Sequence, residues 1–268
     1  MQNEAKNPPE AVRKPLIHLE GKTALVTGGS RGIGLAIARA YAAAGARVAI
    51  AARKPEGLAE AKATLAAEGL EVDTFPCHVG KTDEAKKLVA DVIAKLGRID
   101  VLVNNAATNP HFGPMITADE AIFDKTFETN ARAYFTLARE AAQHVIARNG
   151  TASFVFVTSV QGLHASPLMG IYGMTKAAVI SLTQTLAVEL GPSGIRVNAI
   201  APGIVQTRFA AALTSNDVVV DKYLDRTPLR RVGDPADVAG VALLLASDAA
   251  GYITGETIVI DGGYTISA

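Results

Sequence analysis

The sequence predicts a single doubly wound α/β domain: a central parallel sheet of about seven strands with helices on both faces. Short apolar runs alternate along the chain with longer stretches of helical pattern. The best of these runs are apolar at every position, as expected of strands covered on both faces. Strand, helix, strand repeated in this order favours parallel pairing with right-handed crossovers.

The first strand is "TALVT" (23–27), and "TGGSRGIG" (27–34) hands it to a helix starting near Ile33. "RVAIAA" (47–52) is the second strand and Pro55–Glu68 the second helix. "VDTF" (72–75) follows, then a helix from a Thr82 cap through Leu96, stopped by Gly97. Asp83 and Glu84 suit its N-terminus, although the full capping box is missing. "DVLV" (100–103) and "SFVFVT" (153–158) are the fourth and fifth strands. A long helix, Tyr172–Leu190, is closed by Gly191-Pro192. "IRVNAI" (195–200) and "TIVI" (257–260) complete the set. The stretch 204–232 breaks the rhythm and is expected to be irregular. Ligands in such sheets sit beyond the carboxyl ends of the strands, so a mobile segment there would close over that edge. Residues 1–18, polar and proline-containing, read as a loosely ordered arm before one domain over 19–268.

Composition narrows the function. Of 268 residues, 49% are hydrophobic and 19% charged, a globular balance. With 26 basic and 26 acidic side chains, nothing steers the chain toward nucleic acid or an anionic membrane. No apolar run approaches the ~20 residues of a membrane span, and the N-terminus has no apolar signal core. Cys77 stands alone, which excludes an intrachain disulfide and fits a reducing compartment. The five histidines show no ligand spacing, so no metal site is expected.

Glycines at a strand-to-helix junction let backbone N–H groups meet a pyrophosphate at a helix N-terminus. From Gly28 the spacing is G-x-x-x-G-x-G, without the Gly-Lys-Ser/Thr ending of a nucleoside triphosphate loop. The competing reading is a flexible turn with no ligand. An acidic residue about 20 positions on would bind the ribose hydroxyls of NAD. Here that place holds Ala52-Arg53-Lys54, and Arg31 lies in the glycine loop. Two guanidinium groups suit a 2′-phosphate, which favours NADP(H), with NAD(H) possible if these cations merely solvate a loop.

Tyr172 and Lys176 are four apart, on one face of the expected helix. A free tyrosine has a pKa of about 10, and a nearby ammonium should lower it. Such a phenol exchanges a proton with a carbonyl or alcohol oxygen. Ser159 ends a strand at the ligand edge, placed to hydrogen-bond the same oxygen. It has no G-x-S-x-G elbow and no assigned His/Asp partners, which disfavours a covalent nucleophile.

With Thr27-Gly28-x-x-x-Gly32-x-Gly34, "NNAA" (104–107), Asn130, Ser159, Tyr172-x-x-x-Lys176 and "PGIVQT" (202–207), the chain resembles a classical short-chain dehydrogenase/reductase over about residues 20–265. The resemblance implies one Rossmann-type domain, hydride transfer between a nicotinamide and an alcohol or carbonyl, and a homotetramer. It makes Tyr172 the general acid in reduction and the base in oxidation. Lys176 would hold the nicotinamide ribose and tune Tyr172, Ser159 would polarise the substrate oxygen, and Asn130 would hold a water in a proton relay. Gly28, Ser30, Arg31, Gly32, Ile33 and Gly34 would surround the pyrophosphate side, with Arg53 and Lys54 at the ribose phosphate. Asn104, Asn105 and Ala106 would line the adenosine side. Pro202, Gly203, Val205 and Thr207 would flank the nicotinamide.

Two positions depart from the pattern. Ala107 replaces a glycine, and His78 stands where many members carry an aspartate against adenine, leaving the Val79 backbone for that contact. "CHVGK", "NAATNPHFGP" and "YITGET" are similar to the carbonyl reductase subgroup that reduces ketones and retinal with NADPH. Members of that subgroup can end in a peroxisomal signal; this chain ends "ISA", so a cytosolic protein is expected. His111 and His164 fall in loops near the site, as pocket lining or as plain surface, and Leu168 and Met169 read as an apolar pocket wall or ordinary packing. The alternatives are a 3-oxoacyl-thioester reductase, an NAD-linked sugar or steroid alcohol dehydrogenase, and a silent dinucleotide-binding module.

Overall fold

Seven strands form one all-parallel sheet in the order β3-β2-β1-β4-β5-β6-β7. In chain order they are β1 (Thr23–Thr27), β2 (Arg47–Ala52), β3 (Val72–Pro76), β4 (Val101–Asn104), β5 (Ala152–Val157), β6 (Ile195–Pro202) and β7 (Thr257–Ile260). The computed structural model describes residues 17–209 and 217–267, so nearly all of the expected N-terminal arm lies outside the described residues. The helices are α1 (Gly32–Ala43), α2 (Pro55–Ala67), α3 (Thr82–Leu96), α4 (Glu120–Phe127), α5 (Ala133–Ala147), α6 (Gly170–Leu190), α7 (Asp217–Asp225) and α8 (Pro235–Ala246).

Alternation within the strands sorts the core into two layers. Ala24, Val26, Val48, Ile50, Val101 and Val103 face the layer of α1, α2 and α8. Leu25, Ala49, Leu102, Phe154 and Phe156 face α3, α5 and α6. Both faces are covered, which is why these strands read as unbroken apolar runs. Tyr41 of α1 is fully buried and donates to the Ala242 carbonyl of α8 at 2.9 Å.

Several boundaries differ from expectation. Thr82 is the first residue of α3, Lys81 is its N-cap, and Gly97 ends it with φ +86°. The long helix begins at Gly170, two residues before Tyr172. The 204–232 stretch contains a regular helix, α7. Helices α4, α5 and α8 have no counterpart in the expected set.

At the amino edge of the sheet, Asp100 is an ionic clasp. Its carboxylate accepts from Thr23 N at 2.8 Å and pairs with Arg98 at 2.9 Å and Arg148 at 2.8 Å. The first strand, the start of β4 and the end of α5 meet there.

Candidate active site

The strand order reverses between β1 and β4, and the carboxyl ends there open into a cleft of about 2000 Å³. Gly28 leaves β1 with φ +67°, a conformation that disfavours a side chain, and its N–H donates to Ala51 O at 2.7 Å. A Cβ on Gly34 would overlap the Gly28 carbonyl, so α1 starts tight against the turn. Asn105 ties this turn to β4: its Nδ2 donates to Thr27 O at 2.8 Å and its N–H to Thr27 Oγ1 at 3.0 Å. Arg31 caps α1 in an extended conformation with no side-chain hydrogen bond. The first-turn N–H groups, with the helix dipole behind them, fit a pyrophosphate. Gly28, Ser30, Arg31, Gly32, Ile33 and Gly34 all line the cleft.

At the end of β2, Arg53 and Lys54 are exposed and line the same cleft, as does Arg31. None of the three has a carboxylate partner among the described residues. This donor set fits a phosphate on the ribose. Val79 and Ala106 are in the lining, as expected. His78 lines it too; its N–H donates to Glu84 Oε2 at 2.8 Å, and its ring lies beside Gly80 and Thr129 with Nδ1 buried and unpartnered.

Ser159, Tyr172 and Lys176 meet where β5 ends. Ser159 caps a short 3₁₀ turn, its Oγ accepting from Gln161 N at 3.2 Å, and its hydroxyl is hydrogen-bonded to Tyr172. Tyr172 is 7% exposed, and burial pushes its hydroxyl well above the usual phenol range, with the Ser159 bond pulling the other way. This corrects the expectation that Lys176 lowers Tyr172. Lys176 is itself 1% exposed, and burial brings its amine down to about 7. Its Nζ donates to Val157 O at 2.8 Å and lies 5.4 Å from the Tyr172 ring centre. No carboxylate contributes to its ionisation; burial alone shifts it.

Asn130 is fully buried in a single π-turn, Glu128–Arg132, between α4 and α5. Its Nδ2 donates to Thr108 O at 2.8 Å and Thr175 Oγ1 at 3.2 Å, and its Oδ1 accepts from Thr108 N at 2.8 Å. The side-chain amide is committed to protein, and the π-turn around it disturbs the regular carbonyl ladder.

Pro202, Gly203, Val205 and Thr207 line the cleft beyond β6, and Thr207 packs against Gly32. Asn104 does not: it is fully buried behind the cleft, its Nδ2 donating to Tyr134 O at 3.1 Å, while Asn105 takes the lining place. His164 and Met169 reach the cleft; His111 and Leu168 do not. His111 instead lies within hydrogen-bond distance of Pro114 O, at 3.2 Å. Four further aromatic residues line the substrate end: Phe112, Phe209, Tyr223 and Tyr264. Tyr223 and Tyr264 stack at 4.6 Å, and the Arg226 guanidinium sits 5.0 Å from the Tyr264 ring centre. These side chains carry no motif, and the 204–232 stretch reads in the sequence as irregular.

Comparison with known proteins agrees with this geometry. The family model described as Enoyl-(Acyl carrier protein) reductase matches residues 28–265. Dehydrogenase/reductase SDR family member 4 from Sus scrofa is 43% identical over 251 residues, covering 94% of this chain and 88% of the relative. A short-chain type dehydrogenase/reductase from Mycobacterium ulcerans superposes with a TM-score of 0.89 at 36% identity, covering 93% of this chain and 92% of that one. A gluconate 5-dehydrogenase from Burkholderia cenocepacia J2315, solved in complex with NADP and tartrate, superposes at 0.90 with 32% identity, covering 94% and 98%.

Proposed function

The chain belongs to the short-chain dehydrogenase/reductase family, and from that premise we propose that it is an NADP(H)-dependent oxidoreductase interconverting a ketone or aldehyde with an alcohol. The observation that carries this reading is the convergence of Ser159, Tyr172 and Lys176 on the cleft that the glycine turn also opens into. When bound, the nicotinamide supplies or accepts the hydride. The turn from Gly28 to Gly34 would hold its pyrophosphate, and Lys176 its nearer ribose.

In reduction, Ser159 orients the carbonyl oxygen and Tyr172 donates its phenol proton as negative charge develops there. Burial keeps the phenol protonated at neutral pH, which suits this direction. Lys176 then places a partly charged amine beside the phenolate that is left. In oxidation the same groups act in reverse. The aromatic substrate end favours a carbonyl compound with an apolar body.

NADP(H) over NAD(H) is supported by Arg31, Arg53 and Lys54 and by the NADP held in the Burkholderia enzyme. That enzyme's name also favours a second reading, a sugar-acid dehydrogenase. The wording of the family model favours a third, an acyl-thioester reductase. Single Cys77 supports a cytoplasmic setting, and no described helix is long and apolar enough to cross a membrane. A homotetramer is supported by exposed apolar side chains such as Val188, Val259 and Ile266.

A panel of apolar ketones, sugar acids and 3-oxoacyl thioesters, assayed with NADPH and NADH, tests the reading. Turnover of apolar ketones with NADPH in preference to NADH is expected. NADPH binding without turnover across the panel would leave the silent module.

A further inference from the structure

Lys176 is a fully buried amine, and among the described residues no carboxylate contributes to its ionisation. What steadies it is neutral. Val157 O, the last carbonyl of β5, accepts from Lys176 Nζ at 2.8 Å and from Tyr134 Oη at 3.0 Å. The Tyr134 ring lies under the same amine, 5.3 Å from its centre to Nζ, and the Tyr172 ring centre lies 5.4 Å away. Tyr134 is 1% exposed and held from three sides. Its ring meets Phe156 edge-on at 5.8 Å, its backbone carbonyl accepts from Asn104, and its hydroxyl is fixed on Val157.

We propose that Tyr134 is a positioning residue for Lys176: its ring forms one wall of the ammonium site, and its hydroxyl shares the single carbonyl on which Nζ is anchored. The ring face favours the protonated amine. The hydroxyl does the opposite, since it occupies one of two lone pairs that Nζ would otherwise have to itself. The two halves of one side chain therefore pull the amine in opposite directions, on top of the lowering that burial brings. Other groups do not confuse this balance. Tyr134 from α5 and Tyr172 from α6 are the titratable side chains against the amine. From β5 comes the neutral Val157 O. Among the described residues, no acid or base of β6, α4 or the π-turn adds to the shift.

The inference rests on the functional reading for its significance but is tested without turnover. Lysine labelled with ¹³C at Cε is titrated by NMR in the full chain, and the Lys176 signal is assigned by its loss in Lys176→Met. Tyr134→Phe keeps the ring and frees the carbonyl, so the Lys176 midpoint should rise. Tyr134→Leu removes the ring as well as the hydroxyl, so its midpoint should lie about one pH unit below that of Tyr134→Phe. If the two variants share one midpoint, or Tyr134→Phe leaves it at the wild-type value, Tyr134 is plain core packing. Should Tyr134→Leu not fold, Tyr134→Phe alone decides by its sign. Loss of the functional reading would show separately, as full turnover in a Tyr172→Phe variant whose Lys176 titration is unchanged.

Discussion

The two edges of the sheet treat buried charge in opposite ways. At the amino edge, Asp100 is met by two guanidinium groups and a backbone N–H. At the carboxyl edge, Lys176 is more deeply buried, yet it is given only a carbonyl and two aromatic rings. A charge that has only to hold strands together is locked by its counter-ions. Lys176 is left without a counter-ion among the described residues, and burial brings it to about 7. The exposed cations at the end of β2 are a third case, neither buried nor paired, ready for an anion from outside.

The comparison breaks most severely at the phenol. Tyr172→Phe should lower kcat by about 10²–10⁴-fold while leaving NADPH affinity nearly intact, because the ring stays and only the proton donor goes. Near wild-type kcat in this variant would remove Tyr172 from the chemistry.

Next in size is the lysine itself. Its folded value, about 7, lies below the ordinary 10.5, so between those pH values the unfolded chain binds more protons. Stability contributed at this site therefore rises as pH climbs from about 7 toward 10.5. Lys176→Met should abolish that rise and be more stable than wild type at and below neutral pH, on the order of a few kcal/mol, while turnover collapses. Parallel urea-melt stabilities for the two proteins from pH 6 to 9 would contradict it.

The amino edge should give the converse result. Asp100→Asn keeps an acceptor for Thr23 but loses the charge between Arg98 and Arg148. A cost of about 1.5–3 kcal/mol in unfolding free energy is expected, with kcat unchanged. A fall in kcat without a fall in stability would tie this edge to catalysis and undo the contrast.

The smallest effect concerns the free cations. Arg53→Asp should shift the NADPH/NADH ratio of kcat/KM toward NADH by about 10–150-fold, from one charge-assisted contact of ~1.5–3 kcal/mol. The wild-type preference should also weaken with added salt, since the site is open to solvent. A ratio that ignores both the substitution and the salt would make Arg53 ordinary surface charge.

Much of this was legible in the sequence because it is local. A glycine turn, a Tyr and a Lys four apart, and seven apolar runs each announce themselves within a few residues. What escaped is what depends on distant partners. Helix α8, "PADVAGVALLLA", is apolar almost all round, so it lacks the polar face that marks a helix. Asn104 and Asn105 are neighbours in one motif, yet strand alternation sends one into the core and the other into the cleft. Tyr134 carries no motif of its own. The rise in Tyr172 was missed because the sequence offers a cation nearby but says nothing about how completely both groups are buried.

The contact between Tyr41 and Ala242 spans 201 residues. It packs α1, the helix that opens the glycine turn, against α8, one of the last elements of the chain. During synthesis α1 therefore leaves the ribosome long before its cover exists. The dinucleotide half of the cleft lies early in the chain, but its outer wall is completed late. We expect it to be the last part of the nascent chain to become resistant to proteolysis, because closing a loop this long comes late in folding.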